Sequence, residues 1–152
     1  MREKIPEILV KLENKDYQTD HQEELKIARE TIDQNMIEQA SIYGWYGVLS
    51  AMLDEVVGTK KLELRVLEAK LYKEHKENLS KVPGSRVTDK AIDAEVATDK
   101  RYMTMVVELN DAKKNKAIFD AIVRAFEHRK EMLINLGAKF RKEMDGDIVI
   151  KK

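Results

Sequence analysis

The sequence predicts an all-α protein built on a long antiparallel helical hairpin, with a short N-terminal helix ahead of it. Three observations point that way. Only six glycines and two prolines punctuate 152 residues, too few for the turns of a multi-stranded sheet. Charged residues make up 37% and aromatics 6%, the profile of long helices with narrow apolar stripes and broad solvated faces. Finally, two proline-free stretches, about 21–79 and 88–144, flank one strong Val82-Pro83-Gly84-Ser85-Arg86 turn.

The elements follow in order across one domain, 1–152. Pro6 suits a first helical turn, and Ile8, Leu9 and Leu12 follow on one side, so a short amphipathic helix is expected over 6–13, within a segment 1–20. Thr19 or Asp20 can cap the next helix, with Glu23 and Glu24 favoured by its dipole. A first long helix is expected over 21–80. Its row is Leu25, Ala28, Ile32, Met36, Ala40, Tyr43, Gly47 and Ala51, continued by Leu62, Val66 and Ala69, and Gly58 is a bending point. The Pro-Gly loop occupies 81–88. Thr88 caps a second long helix, 89–144, and Thr98-Asp99-Lys100-Arg101 offers a second start. Its stripe includes Met103, Val106, Asn110, Lys113, Ala117, Ala121, Phe126, Leu133, Leu136 and Phe140. Residues 145–152 read as a short extended arm.

A lone hairpin of this length cannot bury both stripes, because each helix has one neighbour. The further apolar faces around Trp45, Val48, Leu49, Met52 and Leu53, and around Phe119, Ile122, Val123 and Phe126, need cover. Other copies of the chain, in a bundle or ring, are the expected cover.

Chemistry is sparse. Without cysteine there is no disulfide, thiolate metal site or Cys nucleophile. Neither GxxxxGK[ST] nor GxGxxG occurs, which argues against nucleotide enzymes. A di-metal carboxylate bundle needs Glu-x-x-His. Tyr72 and Ala125 stand at that spacing before His75 and His128, so both read as solvated surface histidines. No catalytic centre, cofactor or metal site is expected. Met1–Pro6 holds no apolar stretch of the secretory kind and no run approaches a membrane span, so a cytoplasmic protein without membrane contact is expected.

Charge is balanced overall at 28 basic and 28 acidic residues but segregated. Residues 1–59 carry 6 basic and 12 acidic side chains, whereas residues 60–90 carry 9 and 5. Lys70, Lys73, Lys76, Lys81, Arg86 and Lys90 straddle the Pro-Gly turn. They form a candidate single-stranded nucleic-acid site in which Tyr72 could stack on a base. Against this, Glu74 and Glu77 interleave with the lysines, as on any solvated helix end.

Four features resemble the UvsY family of phage recombination mediators. They are Ala40-Ser41-Ile42-Tyr43-Gly44-Trp45 after a short front helix, Leu67-Glu68-Ala69-Lys70 opening a Lys-rich run that ends at Pro83-Gly84-Ser85-Arg86, Thr88 to Val96 leading into a second helix, and Ala125-Phe126-Glu127-His128-Arg129 followed by Leu133 and Leu136. The resemblance spans most of the chain as an order of features. It implies a non-catalytic homo-oligomer that binds single-stranded DNA and helps load a strand-exchange recombinase, in contact with a single-strand-binding protein, in the cytoplasm of a phage-infected or prophage-carrying bacterium. It places the family's DNA-binding Lys at Lys76, but Asn78 stands where the family has Arg. It places subunit contacts on the C-terminal helix, here Phe126, Leu133, Leu136 and Phe140, which equally suit a hairpin core. The competing readings are a helical protein–protein adaptor or phage structural component without nucleic-acid binding, its acidic residues 1–59 docking a basic partner, and an enzyme whose site is assembled between subunits.

Overall fold

The computed structural model describes residues 8–12, 15–84 and 87–149. The chain is mostly helical, and its two long helices pack together. The elements are strands β1 (Ile8–Leu12) and β2 (Lys15–Thr19), a helical turn α1 (His21–Glu24), a 3-10 turn (Arg29–Thr31), and helices α2 (Ile32–Ser80), α3 (Asp89–Thr98) and α4 (Lys100–Val149). They fall into two compact units, 1–52 with 117–152, and 53–116.

In the first unit, the expected N-terminal helix is replaced by an antiparallel hairpin whose register runs from Ile8 opposite Thr19 to Leu12 opposite Lys15. A short Ile-Leu-Val-Lys-Leu run satisfies helical and strand patterns alike. An eight-residue helix is marginal in water, and the close-spaced second run Lys15–Thr19 gives the strand a partner. Leu12 and Thr19 are buried, and the Tyr17 ring lies 6.5 Å from that of Trp45 on α2.

Asp20 caps α1 as expected, accepting from the Glu23 amide. The helix ends after one turn, however, and α2 begins at Ile32 rather than 21. A helix unbroken over 21–80 would hold Glu24 about 33 Å from Tyr46 along its axis, at ~1.5 Å per residue. The break instead lets the Tyr46 hydroxyl donate to Glu24 Oε2 at 2.5 Å.

The core of this unit lies between α2 and α4: Ile32, Tyr46 and Leu49 against Phe119, Ile122, Phe126 and Leu133. Tyr46 is fully buried, with the Phe126 ring stacked on it at 4.8 Å and the Trp45 ring edge-on at 4.8 Å. The buried row of α2 is thus rotated from the expected one, since Met36, Ala40 and Ala51 are exposed. Likewise, Leu49, Phe119, Ile122 and Phe126, expected to need outside cover, are the core itself. Gln39 and Arg129 are buried among them.

In the second unit, α2 continues through Gly58. Leu53 is buried, and Val57 meets Leu109 and Ala112. Further along, Leu71 meets Ile92 and Val96 of α3, flanked by Leu67, Leu79, Val87 and Tyr102. On α4, Met103, Asn110 and Lys113 face solvent, so its buried row also departs from the expected stripe. The Pro83-Gly84 turn ends α2 with Gly84 at φ 78°, a left-handed conformation that glycine adopts without Cβ strain. Thr88 caps α3 through its Oγ1, which accepts from the Ala91 amide at 3.2 Å.

The second long helix is interrupted at Asp99, whose backbone is extended. The carboxylate of Asp99 accepts from the Arg101 amide at 2.8 Å and so starts α4 at the expected second cap. At its far end α4 continues to Val149, where an extended arm was expected from 145; residues 150–152 lie outside the described ones.

Candidate nucleic-acid interface

The described candidate cations fall within the second unit. Lys70, Lys73 and Lys76 lie on α2, Lys81 begins the turn after it, and Lys90 is the second residue of α3; all five are exposed. Arg86 lies outside the described residues. The fully buried Leu71 fixes which way this end of α2 faces. Three-residue steps then put Lys70, Lys73 and Lys76 on the solvent side, spread over about 9 Å of helix. Among the described residues none of the five is ion-paired. Asn78 is exposed as well.

Two neighbours depart from expectation. Tyr72 is half-buried against the Leu71–Ile92 cluster, and its hydroxyl donates to Asp89 Oδ1 at 2.7 Å. That bond stabilises the protonated phenol and raises its pKa. Its ring belongs to the packing of α2 on α3 and is not held out as a stacking platform. Glu74 is engaged too: Arg101 donates to both its oxygens, at 3.1 and 3.0 Å, and holds its pKa below the ordinary carboxylate range. Of the two carboxylates expected to dilute the lysines, Glu74 is held from α4, while Glu77 stays exposed among them.

Arg101 also donates to Asp99 Oδ2 at 2.8 Å, and His75 Nε2 lies 3.2 Å from the same oxygen. His75 is therefore not a solvated histidine, with 17% of its side chain exposed against 78% for His128. The Asp99 pKa is driven down chiefly by the Arg101 guanidinium, and the Arg101 pKa rises for the reciprocal reason. This cluster ties α2 to the first turn of α4 behind the lysines. No motif announced it; its one signal was a basic residue two positions after a capping aspartate.

The expected subunit-contact residues lie in the first unit and point inward. Phe126 and Leu133 are buried in this single chain, so they have almost no area left for another copy. Leu136 and Phe140 are half-buried, and the Arg29 guanidinium sits 4.7 Å from the centre of the Phe140 ring. Among the described residues, the outward large apolar side chains here are Met36, Ile37, Trp45, Val48, Met132, Ile134 and Met144.

The first unit also holds a polar network that periodicity had not revealed. Arg129, 3% exposed, donates to Gln39 Oε1 and to Asn35 Oδ1 at 2.6 Å. Gln39 in turn donates to the Phe126 carbonyl at 2.8 Å. Burial lowers the Arg129 pKa, and Arg129 Nε has no hydrogen-bond partner. Beside this network an open cavity of about 630 Å³ is bounded by Met36, Ala40 and Tyr43 of α2 and by Glu127, Lys130 and Glu131 of α4. Tyr43 donates its hydroxyl to Glu127 at 2.8 Å across it.

Among the described residues, no three His, Asp or Glu side chains are grouped as metal ligands would be, and no helix is long and apolar enough to cross a membrane. Comparison with protein-family models, with curated proteins and with solved structures finds no match to this chain.

Proposed function

We propose that the chain is a non-catalytic, homo-oligomeric mediator that holds single-stranded DNA on the lysines around its Pro-Gly turn and helps seat a strand-exchange recombinase there. The observation that carries this reading is that Lys70, Lys73, Lys76, Lys81 and Lys90 are exposed and without an ion pair among the described residues, with Glu74 beside Lys73 engaged by Arg101 instead. Arg86 is proposed with them from its sequence position beside the turn. Clustered cations of this kind bind phosphates and release counterions as they do so. The resemblance to the UvsY mediators, with α2 and α4 read as the arms of an antiparallel hairpin, supplies the biological setting: a single-strand-binding protein on the DNA, a recombinase as client, and the cytoplasm of a phage-infected or prophage-carrying bacterium. Self-association is supported by the outward Ile37, Trp45, Val48 and Leu62 side chains, 75%, 41%, 61% and 63% exposed.

Fluorescence anisotropy with a labelled single-stranded oligonucleotide tests the reading. Affinity falls steeply with added salt, and a Lys73→Glu/Lys76→Glu variant loses about tenfold or more at low salt, as expected for two reversed phosphate contacts. Absence of binding at low salt rejects the proposal, and binding that ignores the reversals rejects the site.

A second reading, a protein–protein adaptor, is favoured by one feature of α2. Gln39 to Leu53 carries no charged residue over four turns, yet Ala40, Gly44, Trp45, Val48 and Ala51 on it are exposed. A helix uncharged all round is normally covered. An adaptor retains that use of the helix and shows no salt-dependent oligonucleotide binding.

A further inference from the structure

Three elements of the second unit close around a small cavity of about 120 Å³. It is lined by Glu68 and Tyr72 of α2, by Asp93, Val96 and Ala97 of α3, and by Tyr102 in the first turn of α4. Glu68 and Tyr72 are one turn apart on α2, and Asp93, Val96 and Ala97 share a face of α3 by steps of three and four. Val96 is buried, both tyrosines are half-buried, and Glu68 and Asp93 are exposed. Tyr72 is fixed through its hydroxyl on Asp89, so it serves as a wall and not as a free platform. Lys76 lies one turn beyond Tyr72 and Lys90 one turn before Asp93, both members of the proposed phosphate-binding set. Arg65 precedes Glu68 by three residues and Lys100 follows Ala97 by three; all four cations are exposed. Among the described residues neither Glu68 nor Asp93 is ion-paired with any of them. The lining thus offers two rings and two open acceptors, with cations nearby.

We propose that this cavity takes one base of the bound single strand, with cytosine favoured over thymine. A cavity of about 150 Å³ takes a benzene ring, so a single pyrimidine ring is the right scale here, its sugar and phosphates staying outside toward Lys76 and Lys90. Tyrosine rings receive any base; the carboxylates make the choice. Cytosine carries the N4 amino donor that a carboxylate accepts from, whereas thymine presents the O4 acceptor in its place. Thymine therefore sets two acceptors together and leaves both without a donor. Unpaired carboxylates among lysines weaken a surface that only holds phosphates, and reading a base gives them a use there. The proposal deepens the function above by naming the base, and it rests on that reading of the lysines.

Anisotropy titrations with labelled oligo-dC and oligo-dT of equal length, at neutral pH and one low salt concentration, test it. The wild-type protein binds oligo-dC about fivefold or more tightly than oligo-dT, the scale of a good base contact. Glu68→Gln/Asp93→Asn brings that ratio to about one, because amides donate as well as accept. The ratio is the readout, since losing two negative charges strengthens phosphate contacts with both strands alike. Circular dichroism verifies that the variant, altered only at exposed positions, keeps its helix content. Equal wild-type affinities for the two strands overturn the base pocket and leave single-strand binding standing. A preference that survives unchanged in the variant also overturns the pocket, because the choice is then made elsewhere. Absence of binding to either strand overturns both readings.

Discussion

Arg101 of α4 grips Glu74 of α2 with two hydrogen bonds of 3.1 and 3.0 Å, and the consequence reaches the neighbouring Lys73. Replacing Arg101 with Gln releases the Glu74 carboxylate one residue from a cation of the proposed interface. Oligonucleotide affinity at low salt is expected to fall about two- to fivefold, the scale of an exposed charge pair. The double variant Arg101→Gln/Glu74→Gln recovers it. Anisotropy titrations of the three proteins decide the matter, and an Arg101→Gln affinity equal to wild type contradicts the electrostatic account.

Acid should loosen this same cluster. Asp99 and Glu74 both have folded-state pKa values depressed by Arg101. Their contribution to stability is present above the unfolded carboxylate value, about 4. It is lost as pH falls from there through the depressed folded values. Thermal melts from pH 7 down to pH 2 should show a declining Tm, with a shallower acid decline in Asp99→Asn, which is already less stable at neutral pH. A parallel decline in both proteins counts against Asp99 as a source.

Tyr46 is the largest fully buried side chain among the described residues. Tyr46→Ala should cost about 3–5 kcal/mol, as for other large aromatic truncations in a core. Tyr46→Phe keeps the stack on Phe126 and loses the hydroxyl's bonds to Glu24 and Thr19, costing about 0.5–1.5 kcal/mol for each. Chemical denaturation measures both, and a Phe variant as damaged as the Ala variant would place the stabilisation in the hydroxyl rather than the ring.

Arg129 makes the opposite kind of case. Arg129→Met leaves the Gln39 and Asn35 side-chain oxygens without their donor, at a cost of about 1–3 kcal/mol. Replacing all three by apolar residues of similar volume, Asn35→Leu/Gln39→Leu/Arg129→Met, should recover much of the loss, because buried ionic groups are often matched by well-packed apolar ones. If the triple variant is less stable than Arg129→Met, the network contributes more than it costs in desolvation.

Gly137 lies where an added Cβ would come 2.7 Å from Met36 Cε. That atom is the end of a flexible side chain, so Gly137→Ala should be tolerated. The gain of up to about 1 kcal/mol in helix propensity is offset by the displacement of Met36. A loss above about 2 kcal/mol in denaturant melts, the range for an overpacked rigid site, would mean that Met36 cannot move.

Much of the helical architecture was legible because proline, glycine and capping residues act locally. The Pro83-Gly84 turn, the Thr88 cap and the Asp99 restart each follow from side chains within three positions of the backbone they satisfy. The buried row of α2 was not legible. Its uncharged stretch from Gln39 to Leu53 offers apolar residues on every side, and only the partner helix selects Tyr46 and Leu49 over Ala40 and Ala51. The N-terminal strand pair was missed because a five-residue apolar run fits two periods. The exposed lysines could be read directly, since solvent is where lysine belongs by default. The engagement of Glu74, Tyr72 and His75 depends on residues 17 to 27 positions away and left no local trace.

The docking of Tyr17 on Trp45 gives the protein an optical handle of its own. Trp45 is the sole indole in the chain, and it touches the strand pair through one ring and the helical core, at Tyr46, through another. Peeling the two strands away changes what surrounds this fluorophore while leaving the helices intact. Its emission therefore reports on the fate of that small ribbon during unfolding or ligand encounter, where ellipticity at 222 nm is blind.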